Sequence, residues 1–212
     1  DRALELLLST DMLSALKIAD EIDVLNSKRQ ELEKCIFAAA VKQIEENGYK
    51  YDRVIVADGE NWHHGVVGIV ASRITERYGK PSVIISRDGE NAGGSGRSIE
   101  GFSLFKAIEY ASGCLTKFGG HELAAGFTIS EENIDAFRAR MNRCVLRFLN
   151  GRLPTSALDV DVVLRRPELV SLWEVEQLRR LEPYGNGNNR PLFCLLGVTL
   201  DRAQNVGQNR HL

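Results

Sequence analysis

The 212-residue sequence contains no run of 18 apolar residues, and its opening lacks the pattern of a secretory signal. A helical membrane span is therefore not expected. Only four cysteines occur, Cys35, Cys114, Cys144 and Cys194, and no two of them form a C-x-x-C pair. Scattered thiols fit a reduced, cytoplasmic protein better than disulfides or zinc. Neither sign of charge is in excess: 27 Lys and Arg stand against 29 Asp and Glu, a net charge of -2. The chain as a whole is not a basic nucleic-acid clamp, so any polyanion site must be a local patch. There is no H-E-x-x-H, no G-x-S-x-G, and no histidine beside any cysteine. Zinc-protease, serine-hydrolase and cysteine-nucleophile chemistry lose their signatures. With 43% hydrophobic and 26% charged residues, what remains is an ordinary globular composition.

The patterns that are present alternate between helix and strand. Leu13, Leu16, Ala19 and Ile22, then Leu32, Cys35, Ile36 and Ala39, recur at helical spacing. They predict one long helix over 11–47, or two nearly end to end, with Asn47-Gly48 as the stop. The polar stretch 26–32 suits a helix bridging two bodies. Beyond it, "RVIVADG" (53–59) and "PSVIIS" (81–86) read as buried strands, with "GVVGIVASRITERYG" (65–79) as the helix between them. "GENAGGSGRS" (89–98) reads as a glycine-rich turn leading into or through a strand. "FSLFKAIEYAS" reads as helix, "AAGFTIS" as strand, and "ENIDAFRARMNRCVLRFLNG" as an amphipathic helix. Near Pro154 a new unit opens: "SALDVDVVL" alternates like a strand, "PELVSLWEVEQLRRL" starts a helix on proline, and "LFCLLGVTLDRAQNVG" is strand-like. The fold class expected is α/β, a mixed sheet flanked by helices, preceded by a long helix and followed by a small β domain.

Two segments invite chemistry. In "GGSGRS" (93–98) the glycines let backbone N–H groups approach an anion, while Ser95, Ser98 and Arg97 add hydroxyls and a bidentate fork. It is not a P-loop, because Phe102 stands where lysine is required, and Ile99 breaks G-x-G-x-x-G. From spacing alone a plain hairpin turn is the commoner outcome. In "FGGH" the pair Gly119-Gly120 clears room beside His121, although a lone histidine on a turn is more often structural. Loops about 20 residues apart and separated by one helix can meet at a sheet edge, where α/β proteins place their ligands. The adjacent His63 and His64 would point apart on a helix, Asp58 suits a turn or cap, and Gly65 and Gly68 suit close packing. No metal site is expected there.

Taken together, "WHHGVVGIVASR" (62–73), "YGKPSVIIS" (78–86), "GSGRSI" (94–99) and "FGGHELAAGFTI" (118–129) resemble the DHH-associated domain of the RecJ-like exonucleases, within the DHH phosphoesterase superfamily. "LEPYGNGNNRPLF" (181–193) and the terminal "VGQNRHL" resemble the start of that family's OB-fold domain, and "DRALELLLSTD" (1–11) the last helix of its DHH domain. The resemblance implies the end of a DHH domain and a connector helix over 1–47, a DHH-associated domain over 48–152, and a truncated OB-fold over 153–212. It implies 5′-to-3′ hydrolysis of single-stranded DNA in repair and recombination, with manganese or magnesium held by a DHH domain that this sequence lacks. It carries phosphate binding onto Ser95, Arg97, Ser98, Gly119, Gly120 and His121, with His121 in an assisting catalytic role. Tyr184, Asn186 and Arg190 become the OB-fold's nucleic-acid contacts. Single-stranded DNA and a single-stranded-DNA-binding protein are the partners implied, with a monomer the expected state. Without the metal ligands, the chain alone is expected not to cut DNA. A small-nucleotide phosphodiesterase lobe and a non-catalytic RNA-binding module, as in alanyl-tRNA synthetase, are the alternatives. The OB-fold junction disfavours both.

Overall fold

The computed structural model describes residues 2–89, 91–152, 154, 159–166, 170–199 and 201–204. The proline expected to start a helix at 167, the first residues of "SALDVDVVL" and the terminal "VGQNRHL" lie outside them. The chain forms two compact units, Asp1–Ser156 and Ala157–Leu212.

The first unit begins with a short helix α1 (Arg2–Leu7) and one continuous 35-residue helix α2 (Met12–Glu46). The carboxylate of Asp11 caps the N-terminus by accepting the Ser14 N–H at 2.8 Å, and Gly48 ends it in the left-handed region. The polar middle does not break the helix. Arg29 bonds Asn26 and Glu33 one turn to either side, and Glu33 also receives Arg73 from a neighbouring helix at 2.9 Å. Only Ile36, Ala40 and Ile44, near the C-terminal end, are buried.

Five strands follow: β1 (Ile55–Glu60), β2 (Ser82–Asp88), β3 (Asn91–Arg97), β4 (Leu115–Gly120) and β5 (Ala124–Ser130). Their order is β1-β2-β3-β5-β4. The β1–β2 pair is parallel, joined through α3 (His64–Tyr78), and the other pairings are antiparallel. The mixed sheet flanked by helices is thus as the sequence reading expects. Val54, Val56, Val83, Ile85, Ala92, Phe127 and Ile129 pack beneath α4 (Leu104–Tyr110) and α5 (Ile134–Leu149). Ile55, Ala57 and Ile84 face the other way, against α3 and the end of α2. Burial on both faces explains why these strands read as unbroken apolar runs rather than alternating ones.

Two readings need correction. The segment 93–97 is not the plain hairpin turn that its spacing favours: the turn lies before it, at Gly89, and leads into β3, where these glycines are paired to β2 on one side and β5 on the other. Asp58 is neither a turn residue nor a cap. It sits within β1 and accepts from Arg138 at 2.8 Å, with Arg87 at 3.1 Å, while its N–H donates to Gln43.

The second unit holds a two-stranded parallel pair, β6 (Val162–Leu164) and β7 (Phe193–Leu195), and a helix α6 (Leu172–Gln177). Ser171 and Glu174 close a reciprocal capping box at its start. None of the described residues in this unit is buried, and Trp173 remains 67% exposed.

Candidate nucleic-acid interface

The glycines of β3 serve two faces for different reasons. A Cβ on Gly94 would fall 2.2 Å from the Phe127 ring, and one on Gly96 would fall 2.8 Å from Leu104. Those two positions are small because the α4–α5 core fills the space above them. The alternate residues Gly93, Ser95 and Arg97 point to the α3 side. There the His64 imidazole stands over Gly93, 2.8 Å from where a Cβ would be, and Gly68 of α3 brings the helix backbone close to Ser95 and Arg97.

Register carries this second face across the sheet. Ser95 pairs with Gly126 and Gly126 with Gly119; Gly93 pairs with Thr128 and Thr128 with Lys117; Arg97 pairs with Ala124. Residues directly opposite share a face. The result is a carpet of small side chains, with Lys117 at one corner, Arg97 at another, and His121 just past the end of β4. A Cβ at Gly119 would meet nothing within 4 Å, and Gly126 is exposed. Beside the carpet a cleft of ≈ 520 Å³ is lined by His64, Val67, Asp88, Gly93, Ser95 and Thr128, among others. Bare backbone on this scale admits a chain-like ligand at van der Waals distance from the sheet.

Arg97 is half-buried and partly spoken for: one Nη donates to the Gly96 carbonyl at 2.8 Å and to Ser95 Oγ at 3.3 Å. This fixes the plane of the guanidinium and leaves its other donors for a ligand. Thr75 Oγ1 holds the Arg97 carbonyl from α3.

Comparison with known proteins places these features. Residues 51–146 match the DHHA1 domain, and residues 160–212 match the RecJ OB domain. The chain thus resembles a DHHA1 domain over its middle and a RecJ OB domain over its C-terminal quarter. It is 32% identical over 99% of its length to the single-stranded-DNA-specific exonuclease RecJ of Bacillus subtilis, and 35% identical over 100% to that of Thermus thermophilus. It covers 27% and 30% of those two proteins. Among solved structures, Thermus thermophilus RecJ in complex with Mn2+ superposes with a TM-score of 0.77 at 35% identity, over 92% of this chain and 28% of that one. An exonuclease RecJ bound to manganese gives 0.61 at 34% identity, over 69% of this chain and 36% of the other.

Within the DHHA1 domain the two glycine segments do come to one surface, but as strands rather than loops. Ser95, Arg97 and Gly119 face the same side. Gly120 has φ 147 and would collide with Ala124 if it bore a Cβ, so it shapes the turn. His121 is exposed, and its N–H donates to the Ala124 carbonyl at 2.7 Å. Ser98 Oγ donates to the Phe102 carbonyl at 2.7 Å and so secures the bend after β3. In the OB segment, Tyr184 donates to the Leu178 carbonyl and lies 5.7 Å from the Arg190 guanidinium, while Asn186 is exposed. Sequence reasoning missed His64, Lys117, Thr128 and Gly126. The signal for Gly126 and Thr128 was the alternation of "AAGFTIS", whose outward positions are small or polar.

Among the described residues no group of three His, Cys, Asp or Glu side chains could hold a metal ion. Asp58 is taken by two arginines, and His63 Nδ1 accepts the Gly65 N–H at the start of α3. The donors present do not fit the Mg2+ or Mn2+ of the RecJ crystal structures. Among the described residues no helix is long and apolar enough to cross a membrane.

Proposed function

We propose that this chain is the strand-holding part of a RecJ-like exonuclease that degrades single-stranded DNA from its 5′ end. One observation carries the reading: the row Gly119–Gly126–Ser95, side by side on one sheet face that is open at Gly119 and Gly126 and meets α3 at Ser95, with Arg97 and Lys117 at its margins. A phosphodiester backbone laid on this carpet meets peptide rather than side chains. Ser95 and the free donors of Arg97 hold a phosphate near the 5′ end, with Gly119, Gly120 and His121 lining the opposite margin. Ser98 supports that site from behind, through the bend it bonds. The OB segment, with Tyr184, Asn186 and Arg190, adds contacts of its own to the strand by stacking and charge. Hydrolysis by metal-activated water belongs to residues outside this chain, so the chain alone does not cut.

Arg97→Lys in the full-length protein tests the phosphate assignment. Lysine keeps the charge but cannot fork an oxyanion, so the preference for a 5′-phosphorylated end should fall about tenfold. An unchanged preference assigns Arg97 to structure alone. The isolated chain, given manganese and a 5′-phosphorylated oligonucleotide, should release no nucleotides above a His121→Ala control. Histidine-dependent release contradicts the division of labour, and turnover of small dinucleotides but not strands points to the phosphodiesterase alternative.

A further inference from the structure

The groove between α4 and α5, on the side of the sheet away from the carpet, is built differently. Helix α5 buries Ile134, Phe137, Met141, Cys144 and Val145, and exposes Arg140, Arg143 and Arg147. Spacings of three and four residues line these guanidiniums along one strip of helix, about 10 Å long. Elsewhere in the first unit Arg2, Arg29, Arg73, Arg87 and Arg138 are bridged to carboxylates. Among the described residues no carboxylate bridges Arg140, Arg143, Arg147 or the exposed Lys106 of α4.

Unbridged surface arginines alone are only a solvated face. Here they stand beside two rings. Tyr110 and Phe148 meet edge to face at 5.7 Å, the Arg147 guanidinium lies 5.6 Å from the Tyr110 ring, and Phe148 is 50% exposed. Lys106, Tyr110, Arg147 and Phe148 line one groove with Glu109. Cations interleaved with accessible aromatic faces match a ligand whose phosphates alternate with unpaired flat bases. A duplex hides its base faces, and an acidic peptide has no use for the rings.

We infer that the α4–α5 groove is a second contact for single-stranded nucleic acid, separate from the carpet. Phosphates lie along Arg140, Arg143, Arg147 and Lys106, and a base packs on the Tyr110–Phe148 pair. The choice of ligand class rests on the function proposed above. The groove holds a distant part of a strand whose end occupies the carpet, so it acts on long strands and not on short ones.

The test compares a long oligothymidylate with one too short to leave the carpet, both bound to the full-length protein. Replacing Arg140, Arg143 and Arg147 together by Gln should leave short-strand binding unchanged. For the long strand, the dependence of log affinity on log salt should become shallower by about 2, three phosphates at about 0.7 each. Lys106→Gln alone, an exposed change that serves if the triple variant fails to fold, should lower it by about 0.7. Wild-type affinity and slope in these variants overturns the inference, as does an equal loss for short and long strands. If the unaltered protein binds neither strand, the single-strand reading itself falls. If it binds both and the variants do not differ from it, only the groove is refuted.

Discussion

The glycines of the sheet's inner and outer strands are the same residue type for opposite reasons. On β3, Gly94 and Gly96 are small because Phe127 and Leu104 already occupy the space, and Gly93 because the His64 imidazole stands over it. Outward, on β5 and β4, smallness leaves room: Gly126 is exposed, and nothing lies within 4 Å of a Cβ at Gly119. A glycine count alone would assign all of these one role. The packing above each position separates the residues that complete a core from those that leave a surface bare.

That contrast breaks most visibly on the closed side. Gly94→Val should cost about 3 kcal/mol, because the new side chain displaces the Phe127 ring from a filled core. A melting temperature equal to the wild type would show that the ring has room to move, and the contrast would lose its basis. Asp58→Asn comes next. Its carboxylate joins β1 to α5 and β2, and the side chains of Asp58 and Arg138 are only 14% and 12% exposed. Leaving the guanidinium opposite a neutral amide should cost about 2 kcal/mol, read by urea unfolding. The smallest effect concerns Cys144, whose thiol is pushed up to about 12 by burial on α5, from an ordinary value of 9.0. The folded chain keeps a proton that the unfolded chain releases, so stability is intact below pH 9 and falls as pH rises toward 12. By pH 10 the loss should reach about 1.4 kcal/mol, and Cys144→Ala should flatten this slope in alkaline unfolding curves. An unchanged slope would mean that another group sets the alkaline limit.

Much of the fold was legible. The apolar strands at 53–59 and 81–86, with a helical repeat between them, were readable as an α/β layer, which the structure builds as a parallel pair, and the periodicity of 134–149 gave α5 its buried stripe. The glycine segment was legible only in part, as a turn leading into or through a strand. Glycine most often punctuates a turn, and 93–97 is a strand only because β2 and β5 pair with it from both sides. Asp58 failed for the same reason, since its partners Arg87 and Arg138 are distant in sequence and no local rule brings them near. That "GSGRS" and "FGGH" could meet followed from their spacing, about 20 residues with one helix between, and the resemblance strengthened it. The physical cause of the meeting, the row Ser95–Gly126–Gly119, runs through a strand that neither motif contains. His64 was weighed only as a metal ligand, because its place over Gly93 is revealed only by the packed helix.

Gly119→Val in the full-length protein puts the central claim to the most direct test. Valine suits an exposed strand position and its Cβ meets nothing within 4 Å there, so stability in urea unfolding should stay within about 0.5 kcal/mol of wild type. If the open face of the sheet is where the strand lies, KM for single-stranded DNA should nonetheless rise about tenfold, because a branched side chain now stands where the backbone phosphates pass. A stable Gly119→Val protein with unchanged KM would contradict the account and leave the carpet as bare surface without a ligand.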